Sequence, residues 1–214
     1  MPTKEAVSYP GKLVAFEGID RAGKTSAMKL LAGVLVNCKV PITLCSEKMS
    51  PISDLLSGEN LKKTSGFLKT YLFATDRAWT YEKKCIPALQ RGELVIWDRY
   101  IDSAIVYRTV EFQQMKSTMD INFVNQINGP FIQADLTFIL DVSVNTSEKR
   151  AIRSGQLEPY TRDFLKQVRV EYLKRSHYPG YIVINGENSL EKIIDEIKSI
   201  IQDEFKELFY EIES

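Results

Sequence analysis

The chain has 214 residues, a length that suits one domain with a sizeable core. Its apolar content of 44% and charged content of 26% are ordinary for a globular protein. Lys plus Arg equals Asp plus Glu at 28 each, a balance that argues against a general nucleic-acid or acidic-membrane binder.

The pattern along the chain is short apolar runs alternating with helical periodicity, without internal repeats. Residues 1–11 lack the apolar core of a signal peptide and read as a short polar leader, leaving 12–214 as a single domain. Leu13 to Phe16 is the first expected strand. Thr25 to Leu35 follows as a helix with Met28, Leu31, Ala32 and Leu35 on one face. Val40 to Cys45 is a second strand. Residues 62–91 form a long helical region whose expected buried face is Phe67, Leu68, Leu72, Phe73, Ile86 and Leu89, interrupted at Pro87 and stopped at Gly92. Leu94 to Trp97, Leu136 to Leu140 and Tyr181 to Ile184 complete five strands, and a final helix spans Leu190 to Phe209. Near-continuous apolar strands between helices imply an α/β fold, with a five-stranded parallel sheet covered by helices on both faces in three layers. Ligands of such sheets bind beyond the carboxyl ends of the strands. No apolar run approaches 18 residues, so no membrane-spanning helix is expected. Cys38, Cys45 and Cys85 lack metal-ligand spacing and read as reduced thiols of a cytoplasmic protein. A lone His177 cannot build a histidine metal cluster and reads as a surface residue.

The chemistry begins after the first strand. Gly18-Ile19-Asp20-Arg21-Ala22-Gly23-Lys24-Thr25 fits G-x-x-x-x-G-K-[ST], the P-loop pattern, and it stands between a strand and a helix as that pattern requires. Glycines let the loop wrap an anion closely, and the unpaired N–H groups opening the next helix, through Ser26, point at the phosphates. Lys24 is expected on the β- and γ-phosphates and the Thr25 hydroxyl on Mg²⁺. Asp98, directly after the third strand, is the expected second ligand of that ion, and Arg99 can neutralise a second phosphate group.

Four stretches, in this order, resemble the thymidylate kinase family: Phe16 to Thr25; Leu72-Phe73-Ala74-Thr75-Asp76-Arg77; Asp98-Arg99-Tyr100; and Ala134-Asp135-Leu136-Thr137-Phe138. The resemblance runs from Lys12 to about Glu207. It implies transfer of the ATP γ-phosphoryl group to dTMP, a homodimer, and a P-loop kinase fold with a small mobile lid at about 150–162. It further implies that Phe73 stacks on thymine and that Arg77, a donor only, reads the base carbonyl and rejects cytosine. Asp20 would contact the deoxyribose 3′-hydroxyl, Arg99 the monophosphate, and Ser103, Tyr107 and Tyr160 the base pocket and lid. Arg150 with Gly186, Glu187 and Asn188 would hold adenine. Arg21 inside the P-loop resembles the catalytic arginine of those members that carry it there, with Lys24 and Arg99 as further catalytic cations and Arg153 of the lid as a helper. Three departures stand out, one being Ala134 where the family usually has a proline before the fourth-strand Asp. The loop after strand two offers Lys48 where the family usually has an arginine, and lysine lacks the bidentate fork. The stretch from Val110 to Phe131 matches poorly. Another nucleoside or nucleotide kinase of relaxed base choice is the alternative. A P-loop switch protein is disfavoured, because neither N-K-x-D nor D-x-x-G follows the loop.

Overall fold

The structure, a computed structural model, describes residues 8–57, 64–114, 120–155 and 160–210. Five parallel strands form one sheet in the order β2-β3-β1-β4-β5. They are β1 (Lys12–Glu17), β2 (Ile42–Ser46), β3 (Leu94–Asp98), β4 (Leu136–Asp141) and β5 (Tyr181–Asn185). All five fall where the apolar runs predict them. β1 sits centrally and pairs with both β3 and β4, with Phe16 opposite Asp98 on one side and Phe138 on the other.

The strands read as continuous apolar runs because both faces are buried. Val14, Phe16, Leu94 and Ile96 point into the larger core, whereas Leu13, Ala15, Val95 and Trp97 point into a smaller one. The larger core receives α1 (Lys24–Asn37) and α8 (Leu190–Glu204), whose Leu31, Leu35, Ile197 and Ile201 are fully buried. The smaller core is closed by α3 (Ile86–Gln90) through Ala88 and Leu89. The final helix stops earlier than its periodicity suggests. Phe205 breaks it, and a separate turn, α9 (Glu207–Tyr210), follows.

Five further α-helices are described, and two of them add Val106, Val110, Phe164, Leu165 and Val168 to the larger core. They are α2 (Gly66–Thr80), α4 (Ile101–Gln114), α5 (Ile121–Asn128), α6 (Val144–Arg153) and α7 (Arg162–Arg175). α2 runs through a π turn at Tyr81–Cys85 into α3. Pro87 has no N–H to continue the helical ladder, and the widened turn ahead of it accommodates that break.

The buried face of α2 differs from the expected apolar one. Phe67 and Leu68 are about half exposed, and the buried positions are Gly66, Thr70, Ala74, Asp76, Arg77 and Thr80. The reason is that the inner face of α2 meets loops and a cleft rather than the core. Asp76 accepts the backbone N–H groups of Lys48 (2.7 Å) and Ser50 (3.0 Å), so a carboxylate is the complementary group there. The expected leader lies in part outside the described residues, which begin at residue 8; of the expected lid, 156–159 lie outside them. His177 is exposed, and all three cysteines are free thiols.

Ile197 carries the contact of α8 with the larger core and has no exposed surface. Ile197→Ala is expected to cost about 3 kcal/mol through lost transfer energy and the cavity left behind. A thermal melt should fall by about 6–12 °C.

Candidate active site

The turn after β1 wraps tightly. Gly18 (φ 136°) and Gly23 (φ 103°) adopt angles closed to other residues, and a Cβ on Gly18 would lie 2.5 Å from the Leu140 carbonyl oxygen. Arg21 is also left-handed (φ 60°). Its carbonyl and that of Ala22 accept from Arg150 Nη1 at 3.1 and 2.8 Å, while Arg150 Nη2 donates to the Gly186 carbonyl at 2.9 Å. Arg150 of α6 therefore clips the P-loop to the turn after β5. Glu187 accepts from the Ser143 N–H and the Thr146 hydroxyl, fixing that turn to the start of α6. Asn188 is half-buried beside it.

Lys24 is buried and donates to the carbonyls of Gly18 (3.0 Å) and Ile19 (2.8 Å). Burial, and next the neighbouring Arg99 charge, lower its pKa to about 8. Thr25 Oγ1 donates to Asp98 Oδ2, joining the start of α1 to the end of β3. Asp98 Oδ1 is buried and has no hydrogen-bond partner. Arg21 Nε is likewise buried without one. Ser26 is exposed in the first turn of α1.

A cleft of about 200 Å³, open to solvent, adjoins this loop. Asp20 of the P-loop forms its edge, Glu47 and Lys48 come from the loop after β2, and Phe73 comes from α2. Arg99, Ser103 and Tyr107 line it from the β3–α4 turn and α4, and Tyr160 lies opposite. Arg99 Nη2 pairs with Asp20, while its guanidinium stands 5.4 Å from the Tyr107 ring centre. Burial alone would raise the Asp20 carboxyl, but Arg99, Lys24 and Arg21 outweigh it and hold its pKa below the ordinary carboxylate range. Tyr160 stacks on Phe164 at 4.6 Å and leans on Tyr107 at 5.4 Å.

The structure thus brings Asp20, Lys48, Phe73, Arg99, Ser103, Tyr107 and Tyr160 to one cleft beside Lys24. It does not bring Arg77 to the cleft wall. Arg77 is buried one turn further along α2, donating to Asn128 Oδ1 (2.5 Å) and the Tyr100 carbonyl (3.0 Å). Arg153 is exposed in the last turn of α6.

Five cleft residues are missing from the sequence reading: Glu47, Lys69, Thr70, Ala104 and Arg108. Helical spacing could have found four of them. Lys69 and Thr70 share a face with Phe73, and Ala104 shares one with Tyr107 and with Arg108. Glu111 ties the two faces together, pairing with Lys69 at 3.4 Å and with Arg108. Glu47 is raised to about 7, chiefly by burial, with Arg99 and Arg77 opposing. Asn128, the anchor of Arg77, comes from the poorly matching stretch.

The sequence model of the thymidylate kinase family matches residues 16–197. A probable thymidylate kinase of Pyrobaculum aerophilum is 34% identical over 194 residues, covering 88% of this chain and 95% of its own. A probable thymidylate kinase of Pyrococcus horikoshii is 30% identical, covering 91% and 97%. A thymidylate kinase of Thermoanaerobacter sp. strain X514 is 29% identical, covering 90% and 98%. The family model spans both the phosphate-binding turn and the adjoining cleft, and the chain belongs to the thymidylate kinase family.

Proposed function

We propose that this chain transfers the γ-phosphoryl group of ATP to dTMP, yielding dTDP and ADP. The observation that carries the reading is the Asp20–Arg99 ion pair. It joins the P-loop to the wall of the adjoining cleft, so that a phosphate chain on Lys24 and a monophosphate on Arg99 would meet. Family membership and the names of the relatives support the same reaction.

In that reaction the bond from the γ-phosphorus to the β,γ-bridging oxygen breaks as one forms to an oxygen of the acceptor phosphate. The acceptor is already ionised, so no strong base is required, and catalysis reduces to alignment and charge neutralisation. P-loop N–H groups from Gly18 to Ser26 would cradle the triphosphate. Lys24 would exchange its carbonyl partners for phosphate oxygens. Arg21 would neutralise charge developing on the transferred group, and its unpartnered Nε is consistent with a donor awaiting an anion. Arg153 would assist from the lid, about 150–162, whose closure would exclude water. Arg150, Gly186, Glu187 and Asn188 would border adenine.

On the acceptor side, Arg99 and Lys48 would hold the monophosphate and Asp20 the 3′-hydroxyl. Phe73, half-buried on the cleft wall, would stack on the base, with Ser103, Tyr107 and Tyr160 closing the pocket. Arg77 stands behind that wall with both terminal nitrogens engaged, and it would read a base carbonyl only by giving up Asn128 or the Tyr100 carbonyl.

Thr25 and Asp98 fit Mg²⁺ as oxygen ligands. The buried Asp98 Oδ1 lacks a partner, and such an ion takes most of its shell from phosphates and water. When bound, the ion neutralises β- and γ-oxygen charge. A cytoplasmic location suits the three free thiols. A homodimer is also proposed, on the half-exposed Phe67, Leu68 and Tyr71 of α2, with Phe67 stacked 5.9 Å from Phe123 of α5.

The acceptor test is a panel of dTMP, dUMP, dCMP, dGMP and thymidine with ATP and Mg²⁺. dTMP should give the highest kcat/KM, and a place among the poor acceptors would remove the assignment. Arg99→Ala should lower kcat/KM for dTMP by about a hundredfold, about 3 kcal/mol, with ATP affinity changed only a few-fold.

Lys24 makes ATP binding pH-dependent. Bound phosphate favours its charged form, whereas the free protein begins to lose that proton near pH 8. Calorimetric ATP affinity should therefore fall about tenfold from pH 7 to pH 9, and a lysine of ordinary pKa would give almost no change over that interval. Light scattering should report twice the 24.5 kDa chain mass.

A further inference from the structure

Glu17 is the last residue of β1, adjacent to the P-loop, and it has no exposed surface. A buried carboxylate is costly unless its oxygens are fully occupied. Here they are. Oε1 accepts the backbone N–H groups of Tyr100 (2.8 Å) and Ser103 (3.2 Å). Oε2 accepts the hydroxyls of Ser103 (2.5 Å) and Tyr172 (2.9 Å).

Those donors belong to two other elements. Tyr100 and Ser103 open α4. That helix begins at Ile101 directly after Tyr100, whose side chain cannot cap it, so its orphan N–H groups depend on an acceptor from elsewhere. Arg99, one residue earlier, is held in the left-handed region at φ 64°, an uncommon conformation for a non-glycine residue. Its own N–H donates to the Phe16 carbonyl at 3.0 Å. Phe16 and Glu17 therefore pin consecutive peptides of this turn from the central strand. Tyr172 lies on α7, which follows the proposed lid segment. Burial first, and the Glu17 charge next, hold its phenol well above the ordinary range, so it remains a donor.

We propose that Glu17 is a positioning residue: through the Tyr100 and Ser103 N–H groups it aims Arg99 at the acceptor phosphate, and through Tyr172 it docks α7 to the same frame. The role rests on the acceptor assignment made above for Arg99. It predicts a division between the two substrates, because the phosphate cradle itself is built from other residues.

The test compares full-length Glu17→Gln and Glu17→Met in steady-state kinetics and in ATP calorimetry without acceptor. Gln keeps an oxygen for the two N–H groups and can donate to the two hydroxyls, so its kcat and acceptor KM should stay within about threefold of the parent. Met has similar length but no strong acceptor, and kcat/KM for dTMP should fall about a hundredfold with ATP affinity unchanged. If the Met chain does not fold, Glu17→Asp, which draws the carboxylate back by one methylene, should show the same division with about a tenfold loss. Added to Arg99→Ala, either damaging variant should cost no more than about threefold further. Equal losses of ATP affinity and acceptor turnover, a Gln variant as poor as Met, near-parental Met or Asp variants, or full additivity with Arg99→Ala would each overturn the role. A normal dTMP response of Arg99→Ala alone would instead overturn the acceptor assignment.

Discussion

The position of β1 between β3 and β4 is the constraint on which the rest depends. Parallel pairing brings the carboxyl ends of all three strands to one edge, and register then fixes which residues meet there. Phe16 stands opposite Asp98, so the P-loop begins where the Asp98–Arg99 turn begins. The Thr25–Asp98 hydrogen bond and the Asp20–Arg99 ion pair follow from that register. A one-residue slip would turn Phe16 and Asp98 to opposite faces and bury Leu13 in the wrong core. Packing and chemistry are thus fixed by the same alignment, and the apolar alternation that fills two cores also aims the polar strand ends.

α2 shows how a site changes the rules of a helix. Its apolar residues Phe67, Leu68 and Tyr71 lie toward solvent, while Asp76, Arg77 and Thr70 are buried. Most of these buried polar groups have partners: Asp76 caps the backbone of the β2 loop, Thr70 donates to the Gly66 carbonyl, and Arg77 bridges to Asn128 and Tyr100, while Arg77 Nε and Thr80 Oγ1 have none. Such a network rigidifies the wall behind Phe73 more directionally than apolar packing could. The cost of burying these groups is offset only while the network stays complete.

This also separates what was legible in the sequence from what was not. The five strands, the P-loop and the Asp98–Arg99 turn are local patterns, carried by neighbouring residues, and each could be read directly. The buried face of α2 could not, because periodicity measures apolarity and that face is polar. Asn128 lies 51 residues from Arg77, and Glu17 lies 155 from Tyr172; no spacing rule links them. Helical faces carry a further signal, since Lys69 and Thr70 lie four and three residues before Phe73 and Ala104 lies three before Tyr107 and four before Arg108. Arg77 was legible as a member of its motif, yet only the fold reveals that its guanidinium is set behind the cleft.

A net charge of zero conceals how the cleft is prepared for anions. Several of its cations are held by internal partners. Arg99 is held by Asp20, Lys69 and Arg108 by Glu111, and Lys24 by two carbonyls. This pairing keeps the guanidinium and ammonium groups in place against their mutual repulsion, which adds to burial in lowering the Lys24 pKa. Under the proposed assignment, phosphates do not find an open cationic trough. They take over positions whose geometry internal acceptors have already set, and the carbonyls on Lys24 are weaker partners than phosphate oxygens. Under that assignment a phosphate on Arg99 would compete with the Asp20 carboxylate, which could then accept the 3′-hydroxyl of a deoxynucleotide. Exchange of partners, rather than simple attraction, would then make the cleft respond to a molecule carrying both a phosphate and a hydroxyl at the right separation.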